Sequence, residues 1–372
     1  MKILHVINNL GSGGAEKLIE ESVPLINTYP KIEAEVLLLT SYNSVFLENL
    51  KSKGVRVEAL NLGSIYNPLN IFKIKEKIEK NKYDIVHAHL FPTQYWVAIS
   101  KMLIKSKKIK FITTEHSTSN RRRRKVYFLL IDRYVYSQYD CIISISNSTQ
   151  DNLINWINPP QEERTKYKVI ENGINLDRFI NAIPYQKREI KQEFSEKTKL
   201  LCMVGSFTEQ KDQQTLIKAM EKLPNSVHLL LLGEGPLQEE KKMLVSKMGL
   251  EKRIHFLGFR NDVERILKTV DIVILSSNWE GFGLAALEGM AAGKPVIGSN
   301  VPGLRDVIGD QDLLFEVGNE FDLANKIINL LNNEEMYFQK AKQMQRRSEN
   351  YDIKNMVDKY VEQYFELYNL IN

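Results

Sequence analysis

The stretch from residue 271 to residue 298 places the strongest constraint on the fold of this 372-residue chain. Residues 271–277 form a short β-branched run, which is long enough for a buried strand and too short for a helix. A turn that contains Gly281 and Gly283 follows, and residues 284–292 are rich in Ala, Leu and Met, which favour a helix. The next apolar run begins at Pro295. The order strand, glycine loop, helix and strand is typical of α/β proteins.

The glycine loop and the start of the following helix form a site that suits an anion, because backbone N–H groups there lack partners within the helix. Glu280 lies at the mouth of this site, and Glu288 lies about two turns into the helix near the same side. A carboxylate beside a phosphate is electrostatically unfavourable unless it binds sugar hydroxyls instead. Two such carboxylates therefore indicate a ligand with both phosphates and sugars, which describes a nucleotide sugar.

These residues resemble the signature of a known family. Glu280 and Glu288, with seven residues between them in EGFGLAALEGMAAGKPVI, resemble the paired glutamates of the family 4 retaining glycosyltransferases of GT-B fold. The resemblance covers the whole chain. It implies an α/β protein with two Rossmann-like, doubly wound domains that face a cleft, and a C-terminal helix that crosses back to the N-terminal domain.

The chain length favours two domains, because 372 residues are many for a single core. Short apolar runs alternate with helical segments, which predicts parallel, doubly wound sheets that bind ligands beyond the carboxyl ends of their strands. We place an acceptor-side domain at residues 1–180, with the returning helix at 351–372, and a nucleotide-sugar-binding domain at 195–350. The polar, highly charged residues 175–199 are typical of a linker.

A second glycine-rich turn, residues 11–14, follows the first predicted strand and precedes a helical segment. Glycines allow a backbone to approach a phosphate closely, and a helix start attracts it. Gly13 and Gly14 resemble the family's N-terminal glycine loop. The resemblance implies that they face the donor diphosphate and the acceptor.

Three histidines in the first predicted domain follow or lie in short strands. His116 comes just after a strand, and the resemblance implies that it contacts the donor sugar near the reacting carbon; the alternative is a loop histidine that only orders its backbone. His87 and His89 are two residues apart, so in a strand they share one face. A metal site needs further ligands, and none is evident nearby in the sequence, so packing is the favoured interpretation for this pair.

The loop after the predicted strand at residues 200–204 carries a departure from the family. In the family an Arg usually follows the glycine and a Lys comes five residues later, both on the diphosphate. Here Gly205 is followed by Ser206, which carries no charge, while Lys211 matches the family's Lys. Arg260 or the basic region of the other domain is a candidate to offset the lost charge. The resemblance also makes Phe259 and Arg260 candidates for the side of the nucleotide base.

The resemblance assigns roles to the residues around the paired glutamates. Glu288 accepts hydrogen bonds from the ribose and Glu280 binds hydroxyls of the donor sugar, so that Glu280 and His116 are the catalytic candidates. Lys211 and the N–H groups of three residues hold the leaving diphosphate by preorganised charge stabilisation: Phe282, Gly283 and Leu284. No Asp-x-Asp motif lies where a donor would need one, so we expect neither a metal nor another cofactor. Retention of the anomeric configuration by front-face attack is implied.

The positive charge of the chain is concentrated in one region. Residues 101–125 contain ten basic residues and one acidic residue, which gives this region a net charge of +9 and the remainder −4. Such a patch favours anionic lipid headgroups or phosphorylated acceptors, and the alternative is a solvated helix face and loop. No nucleic-acid-binding signature is present, so we expect no nucleic acid partner. The predicted membrane or acceptor contacts are Arg121, Arg122, Arg123, Arg124 and Lys125.

The remaining features bear on location. Cys141 and Cys202 each lie in an apolar run, which fits buried, reduced thiols in a cytosolic protein. No apolar run reaches the roughly 18 residues that a membrane-spanning helix needs, and the N-terminal residues read as a strand and not as a signal peptide. We therefore expect a cytoplasmic protein that is peripheral to the inner face of the cell membrane and acts on a polyprenyl-diphosphate-linked or glycan acceptor.

Two other functional classes stay open at this point. A UDP-sugar 2-epimerase of the same fold would need more carboxylates and histidines around the ligand. A non-catalytic nucleotide-sugar binder in a polysaccharide assembly is suggested by Ser206. The uridine base of the expected donor is taken from its frequency in the family; the sugar, the acceptor and the linkage lie in loops that the sequence does not interpret.

Overall fold

The computed structural model describes residues 1–106, 108–118 and 121–370, and the side chains of Arg121 and Arg124 lie outside the description. The chain divides into two compact units. The first unit comprises Met1–Gly173 and the chain from Ile353 onward, and the second comprises Ile174–Asp352. Each unit contains its own parallel sheet.

The strands are short and mostly buried, as expected for parallel sheets covered on both faces. Those of the first unit are β1 (Lys2–Ile7), β2 (Glu33–Leu38), β3 (Val57–Ala59), β4 (Ile85–His89), β5 (Lys110–Glu115), β6 (Cys141–Ser144) and β7 (Tyr167–Val169). Those of the second unit are β8 (Lys199–Val204), β9 (Val227–Leu232), β10 (Ile254–Gly258), β11 (Ile272–Leu275), β12 (Val296–Ser299) and β13 (Leu314–Phe315).

Helices alternate with these strands along the chain. Before β8 they are α1 (Gly14–Ile26), α2 (Leu47–Ser52), α3 (Leu69–Asn81), α4 (Thr93–Leu103), α5 (Tyr127–Ser137), α6 (Asn147–Ile157), α7 (Leu176–Ile180) and α8 (Lys187–Ile190). After β8 they are α9 (Gln213–Met220), α10 (Gln238–Lys247), α11 (Val263–Thr269), α12 (Leu284–Ala291), α13 (Pro302–Ile308), α14 (Glu320–Asn332), α15 (Glu334–Ser348) and α16 (Ile353–Asn369).

The order of the strands places a ligand site in each sheet. In the first unit the order is β3-β2-β1-β4-β5-β6-β7, and in the second unit it is β10-β9-β8-β11-β12-β13. The chain therefore changes direction across the sheet between β1 and β4, and again between β8 and β11. Loops at the carboxyl ends of these strand pairs diverge and leave room for a ligand, so these are the positions at which doubly wound sheets bind.

Helix α16, which is the last helix among the described residues, belongs to the first unit, where it packs against α1. It buries Tyr360 and Tyr364, and the Tyr364 hydroxyl lies 2.8 Å from Nδ1 of His87 in β4. The aromatic stripe of this helix is therefore part of a core. The two doubly wound units and the returning helix confirm the fold that the sequence predicts.

The prediction of a linker at residues 175–199 is wrong. This segment contains α7 and α8 and packs within the second unit, where Leu176, Phe179 and Phe194 are buried. The side chain of Asn175 caps α7 by accepting a hydrogen bond of 3.2 Å from the N–H of Arg178. Exposed charged residues dominate the composition of the segment, so composition alone does not reveal the few buried apolar side chains that hold it within the second unit.

Candidate functional site

In the second unit, the loops that follow β8 and β11 are joined by backbone hydrogen bonds. The N–H of Asp212 donates to the carbonyl of Ser276 at 2.9 Å, and the N–H of Asn278 donates to the carbonyl of Gln210 at 2.8 Å. Lys211 also forms an isolated antiparallel bridge with Ser277. These bonds hold the loop of Lys211 against the loop of Glu280 at the point where the strand order reverses.

The side chains of Lys211 and Glu280 meet in this place as an ion pair. Gln210 Nε2 donates to the same carboxylate at 3.3 Å, and the N–H of Gly281 donates to it at 3.2 Å. The two charged side chains are only 13% and 11% exposed, so solvent screens their charges much less than it screens a surface pair. The sequence predicted both residues for the site, and the structure brings them into contact.

Glycines allow the backbones around this pair to pack closely. A Cβ atom on Gly303 would lie 2.5 Å from the carbonyl oxygen of Glu280, so α13 approaches the loop at a distance that only glycine permits. Gly283 has φ of +99°, a left-handed conformation that L side chains rarely adopt. The aliphatic part of Lys211 passes over Gly205, where a Cβ would meet its carbons at 3.4 Å. A side chain in place of Gly303 would push against the backbone of the Glu280 loop, and one in place of Gly283 would strain the start of the next helix.

Helix α12 begins directly after the Glu280 loop, with Gly283 as its N-cap. The N–H of Ala286 donates to the carbonyl of Gly283 at 2.9 Å, so the preceding N–H groups, including that of Leu284, lie at the start of the helix where no intrahelical acceptor exists. Phe282 is buried with its ring edge-on to Tyr351 at 5.6 Å. The three residues predicted to bind a diphosphate through backbone N–H groups therefore lie at a helix N-terminus. The half-buried Glu288 lies about one turn into the helix, and not two turns as the sequence analysis expected, because α12 begins only at Leu284.

The other predicted residues of this unit lie in loops at the same edge of the sheet. Ser206 is exposed beside Gly205, and Phe259 follows β10. Arg260 makes a bidentate contact with Asp262 at 2.8 and 2.6 Å, and this contact lowers the pKa of Asp262 to about 2. The charge of Arg260 is thus already paired, which weakens it as a substitute for the arginine that Ser206 replaces.

In the first unit, the predicted glycine loop precedes helix α1. Gly13 is the N-cap and Gly14 is the first helical residue, and both are exposed. The carboxylate of Glu16 folds back over Gly13, and burial raises the pKa of Glu16. The sequence analysis did not include Glu16 in the site, although an acidic residue in the first turn of a helix is a common partner for its N-terminus.

His116 follows β5 and belongs to a row of imidazoles. Its Nε2 lies 3.2 Å from Nδ1 of His89, and Nε2 of His89 lies 3.1 Å from Nδ1 of His5 in β1. Burial lowers the pKa of His5 to about 3 and that of His116 to about 4, and it lowers the pKa of His89 well below its usual value. These rings are therefore neutral at neutral pH.

His87 lies beside the row and is bound by hydroxyl groups. Its two nitrogens lie 2.8 Å from the hydroxyls of Tyr364 and Thr114, and its ring centroid is 4.2 Å from that of His89. The predicted shared face of His87 and His89 is confirmed. The sequence analysis missed His5 because only the pairing of β1 with β4 brings it beside the other histidines. In that pairing His5 stands opposite His87. The doubly wound order could have suggested this proximity.

The predicted membrane or acceptor contacts need a correction, because part of the arginine run faces inward. Arg122 is buried, with its guanidinium 4.0 Å from the ring centroid of Phe91 and 3.7 Å from Asp132. Arg123 lies 3.3 Å from Glu115 and its side chain is only 11% exposed. Arg121 and Arg124 lie outside the described side chains, and Lys125 is exposed as predicted.

An apolar surface follows this run. Tyr134 on α5 donates to Sδ of Met102 at the end of α4 at 3.1 Å, which joins the two helices. Lys105, Lys108 and Lys125 are exposed in the same segments. Exposed large apolar side chains form this surface, which we call the α4–α5 face: Met102, Leu103, Val126, Tyr127, Leu130, Ile131 and Tyr134. Their helical spacing after residue 125 could have identified the face from the sequence. In the described part of the chain, no helix has the length and hydropathy to cross a membrane.

Comparison with known families assigns both units. Residues 28–178 match the family described as Glycosyltransferase Family 4, and residues 185–351 match the family described as Glycosyl transferases group 1. Together these matches cover most of the first unit and nearly all of the second.

Individual relatives agree with these families. The N-acetyl-alpha-D-glucosaminyl L-malate synthase of Bacillus anthracis is 30% identical over 279 residues, which cover 71% of this chain and 70% of the relative. The UDP-Gal:alpha-D-GlcNAc-diphosphoundecaprenol alpha-1,3-galactosyltransferase of Escherichia coli is 25% identical over 325 residues, or 82% of this chain and 81% of the relative. The solved structure of Anabaena HepE in complex with UDP-glucose superposes with a TM-score of 0.85 at 21% identity, covering 98% of this chain and all of that chain.

Proposed function

Because the chain belongs to glycosyltransferase family 4 and is a transferase of GT-B fold, we propose that it moves a hexose or N-acetylhexosamine from a nucleotide-diphosphate sugar to a glycan or lipid-linked acceptor. The anomeric configuration is retained in this proposal. The reaction serves the synthesis of a cell-surface polysaccharide, such as capsule or O-antigen.

The observation that carries this proposal is the ion pair of Lys211 and Glu280 at the start of helix α12. A donor diphosphate would bind Lys211 and the N–H groups at the helix start, and it would displace the carboxylate from the lysine. Glu280 is then available to hydroxyls of the donor sugar. Lys211 and the N–H groups at the helix start are therefore held at the site before the ligand arrives, and only the contact between Lys211 and Glu280 has to change.

The chemical step follows from these positions. The bond between the anomeric carbon and the diphosphate oxygen breaks, and Lys211 with the helix start stabilises the negative charge on the departing diphosphate. The acceptor hydroxyl attacks from the same face, and its proton passes to the leaving phosphate oxygen. Glu280 and His116 contact the sugar in this proposal, and neither forms a covalent bond to it. Neither a metal nor another cofactor takes part.

The proposed donor is linked to UDP. Support comes from the E. coli relative, whose name specifies UDP-Gal, and from the Anabaena structure, which contains UDP-glucose. Glu288 on α12 would accept hydrogen bonds from the ribose hydroxyls, and Phe259 and Arg260 after β10 would lie beside the base. Gly13 and Gly14 in the first unit would approach the diphosphate and the acceptor.

The proposed acceptor is linked to a polyprenyl diphosphate at the inner face of the cell membrane, where the protein would bind peripherally from the cytoplasm. The name of the E. coli relative specifies a diphosphoundecaprenol acceptor. The α4–α5 face supports contact with an anionic membrane, because apolar side chains there stand beside Lys105, Lys108 and Lys125. No nucleic acid partner is proposed.

A screen of donors tests the proposal. The purified protein is incubated with UDP-, GDP- and ADP-linked sugars and a polyprenyl-diphosphate-linked acceptor, with and without a chelator, and released nucleotide is measured by mass spectrometry. We expect release of UDP that depends on the acceptor and persists in chelator. Absence of any nucleotide release or binding across all donors would contradict the proposal.

A further inference from the structure

The three imidazoles of His5, His89 and His116 form a row with two unoccupied ends. The contacts within the row are 3.1 Å between His5 Nδ1 and His89 Nε2, and 3.2 Å between His89 Nδ1 and His116 Nε2. Among the described residues, Nε2 of His5 and Nδ1 of His116 are buried and have no hydrogen-bond partner. Each of the two contacts is therefore a hydrogen bond that holds one proton between its two nitrogens. Each of the two end nitrogens can either carry a proton or present a lone pair.

The protons of the row can be counted. Burial lowers the pKa of each of the three rings, so each is neutral at neutral pH and carries one N–H. Two of the three protons lie in the two contacts, and the third must lie at one end of the row. Either all three rings carry the proton on Nδ1 or all three carry it on Nε2, because a mixed row would break one contact. The tautomers of the three rings are thereby linked.

The surroundings of the two ends favour one of these arrangements. His5 and His116 both line one small cavity, whose walls also include apolar side chains of α1, Ser22 and the rings of other histidines and tyrosines: His87, His89, Tyr360 and Tyr364. A buried N–H group without an acceptor is rarer in proteins than an acceptor without a donor, so the proton is disfavoured on Nε2 of His5. Nδ1 of His116 is buried as well, but His116 as a residue is partly exposed and follows the carboxyl end of β5, whereas His5 is only 2% exposed within β1. Doubly wound sheets bind ligands beyond the carboxyl ends of their strands, so a ligand oxygen that accepts the proton is available to the His116 end and not to the His5 end.

We propose that His5 and His89 are positioning residues that hold His116 in its Nδ1–H tautomer, so that His116 donates a hydrogen bond to an oxygen of the donor sugar. His116 then has no free lone pair, because its Nε2 accepts from His89, and it cannot serve as a general base for the acceptor. The role toward the sugar rests on the proposed function, whereas the row itself is a property of the free protein.

A metal ion is the competing occupant of this cluster. Nitrogens of His5, His87 and His89 lie within 4.8 Å of one another, and three neutral imidazoles are a common donor set for zinc. However, both nitrogens of His87 and both of His89 lie within hydrogen-bond distance of protein groups. A metal would have to break one such contact at each ring. A metal ion found bound to these histidines would therefore contradict the proposed hydrogen bonds between the imidazoles.

Nuclear magnetic resonance of the free protein tests the row without reference to activity. The chain contains six histidines, so imidazole-15N-labelled protein should give six ring patterns, which single substitutions assign. We expect His5, His89 and His116 to share the Nδ1–H tautomer. We also expect the dialysed protein to contain no stoichiometric metal. Different tautomers for His5 and His116, the Nε2–H tautomer for all three, or one retained metal per chain would overturn the proposal. His228 and His255 of the second unit, in which Nδ1 of His228 lies 3.1 Å from Nε2 of His255, provide an internal reference.

A matched pair of variants tests the consequence for His116. His5→Asn keeps a donor near the position of Nδ1, whereas His5→Leu has a similar shape and no donor. We expect His5→Leu to give mixed tautomers at His116 and to weaken binding of the nucleotide sugar by up to about tenfold, with binding of the nucleoside diphosphate alone unchanged. His5→Asn should restore both properties. Equal losses in the two variants, or equal losses for both ligands, would show a merely structural role and overturn the proposal.

If no nucleotide sugar binds to the wild-type protein while the three tautomers agree, the proposed function fails and the row stands. If the donor is turned over while the tautomers of His5 and His116 differ, the row fails and the proposed function stands. The two results are therefore distinguishable in one set of samples.

Discussion

The carboxyl ends of the two sheets are built on the same plan and carry opposite kinds of chemistry. In the first unit, the edge at β1, β4 and β5 holds buried, neutral imidazoles that are bound to one another and to hydroxyl groups. In the second unit, the edge at β8 and β11 holds the charged pair of Lys211 and Glu280 at the start of a helix. The same topology thus provides directional hydrogen bonds in one unit and charge in the other.

This difference shows that the strand order determines where a site lies and the residues at the strand ends determine what it binds. The imidazoles keep their positions through mutual contacts and are insensitive to salt. In the proposed function, a phosphate of the donor replaces Glu280 as the partner of Lys211. The comparison can be tested by changes that affect one edge and leave the other intact.

Acidification should produce the largest effect, and mainly in the first unit. The folded-state pKa values of its buried histidines lie below the ordinary value near 6.5, so the unfolded chain binds more protons below that pH. Stability is therefore lost as the pH falls from about 6.5 toward 4, by about 2 kcal/mol between pH 7 and 5 for His5. Burial of His87 and His89 acts in the same direction. Denaturant titrations at several pH values measure this loss.

Tryptophan fluorescence separates the two units in these titrations. Trp96 and Trp156 report on the first unit and Trp279 on the second, so a Trp279→Phe variant isolates the first. His5→Leu is the matched variant and should reduce the pH dependence of unfolding of the first unit by about one proton. An equally steep loss of stability in both units would contradict this comparison.

The next largest effect should come from Glu280→Gln, which keeps the shape of the side chain and removes its charge. We expect kcat to fall by about 10²- to 10³-fold, because the amide binds sugar hydroxyls less strongly and no longer offsets Lys211. Initial rates of nucleotide release measure this fall. Glu239→Gln is the matched control, since Glu239 pairs with Lys242 on the surface of the same unit. A change of less than threefold for Glu280→Gln would remove Glu280 from the catalytic candidates.

Lys211→Met should have a smaller effect, on binding of the diphosphate. We expect the affinity for the nucleoside diphosphate to fall by about tenfold, and stability to decrease because the largely buried Glu280 loses its partner. Adding Glu280→Gln should restore the stability and leave the affinity low. Calorimetry and thermal unfolding of the single and double variants measure both quantities, with Lys242→Met as the control. Unchanged affinity would contradict the assignment of Lys211.

The smallest effect should come from the α4–α5 face, which lies outside both strand edges. Leu130→Glu places a charge on a side chain that is 71% exposed, so we expect binding to anionic vesicles at low salt to weaken several-fold with no loss of stability. Sedimentation with vesicles measures the binding. Met243→Glu is the control, because Met243 is similarly exposed on α10 of the second unit. Equal sedimentation of the two variants would exclude this face as the membrane contact.

Most of the fold could be predicted from the sequence because its signals are local. The β-branched run of β11, the glycine turn before α12 and the alternation of short apolar runs all act within a few residues. Glu280 and Lys211 could be named for the same reason, since each lies in a recognisable loop. Their roles toward a ligand remain predictions until binding is measured.

The features that the sequence analysis missed depend on contacts between distant residues. Arg122 was assigned to a membrane or acceptor contact because a run of arginines favours anionic partners, yet Asp132 and the ring of Phe91 hold it inside. His5 was overlooked because the register between β1 and β4 joins residues that are far apart in the chain. Composition cannot reveal either arrangement, since both result from pairing across elements.

Helix α16 has a consequence for biosynthesis. The first unit is completed by a segment that the ribosome makes only after all of Ile174–Asp352. At about 5 to 20 residues per second, this delay is roughly 10 to 40 seconds. During that time the imidazole of His87 lacks the tyrosine of α16, and the face of α1 that this helix covers is open to chaperones. The half of the protein that is translated first is therefore the half that matures last.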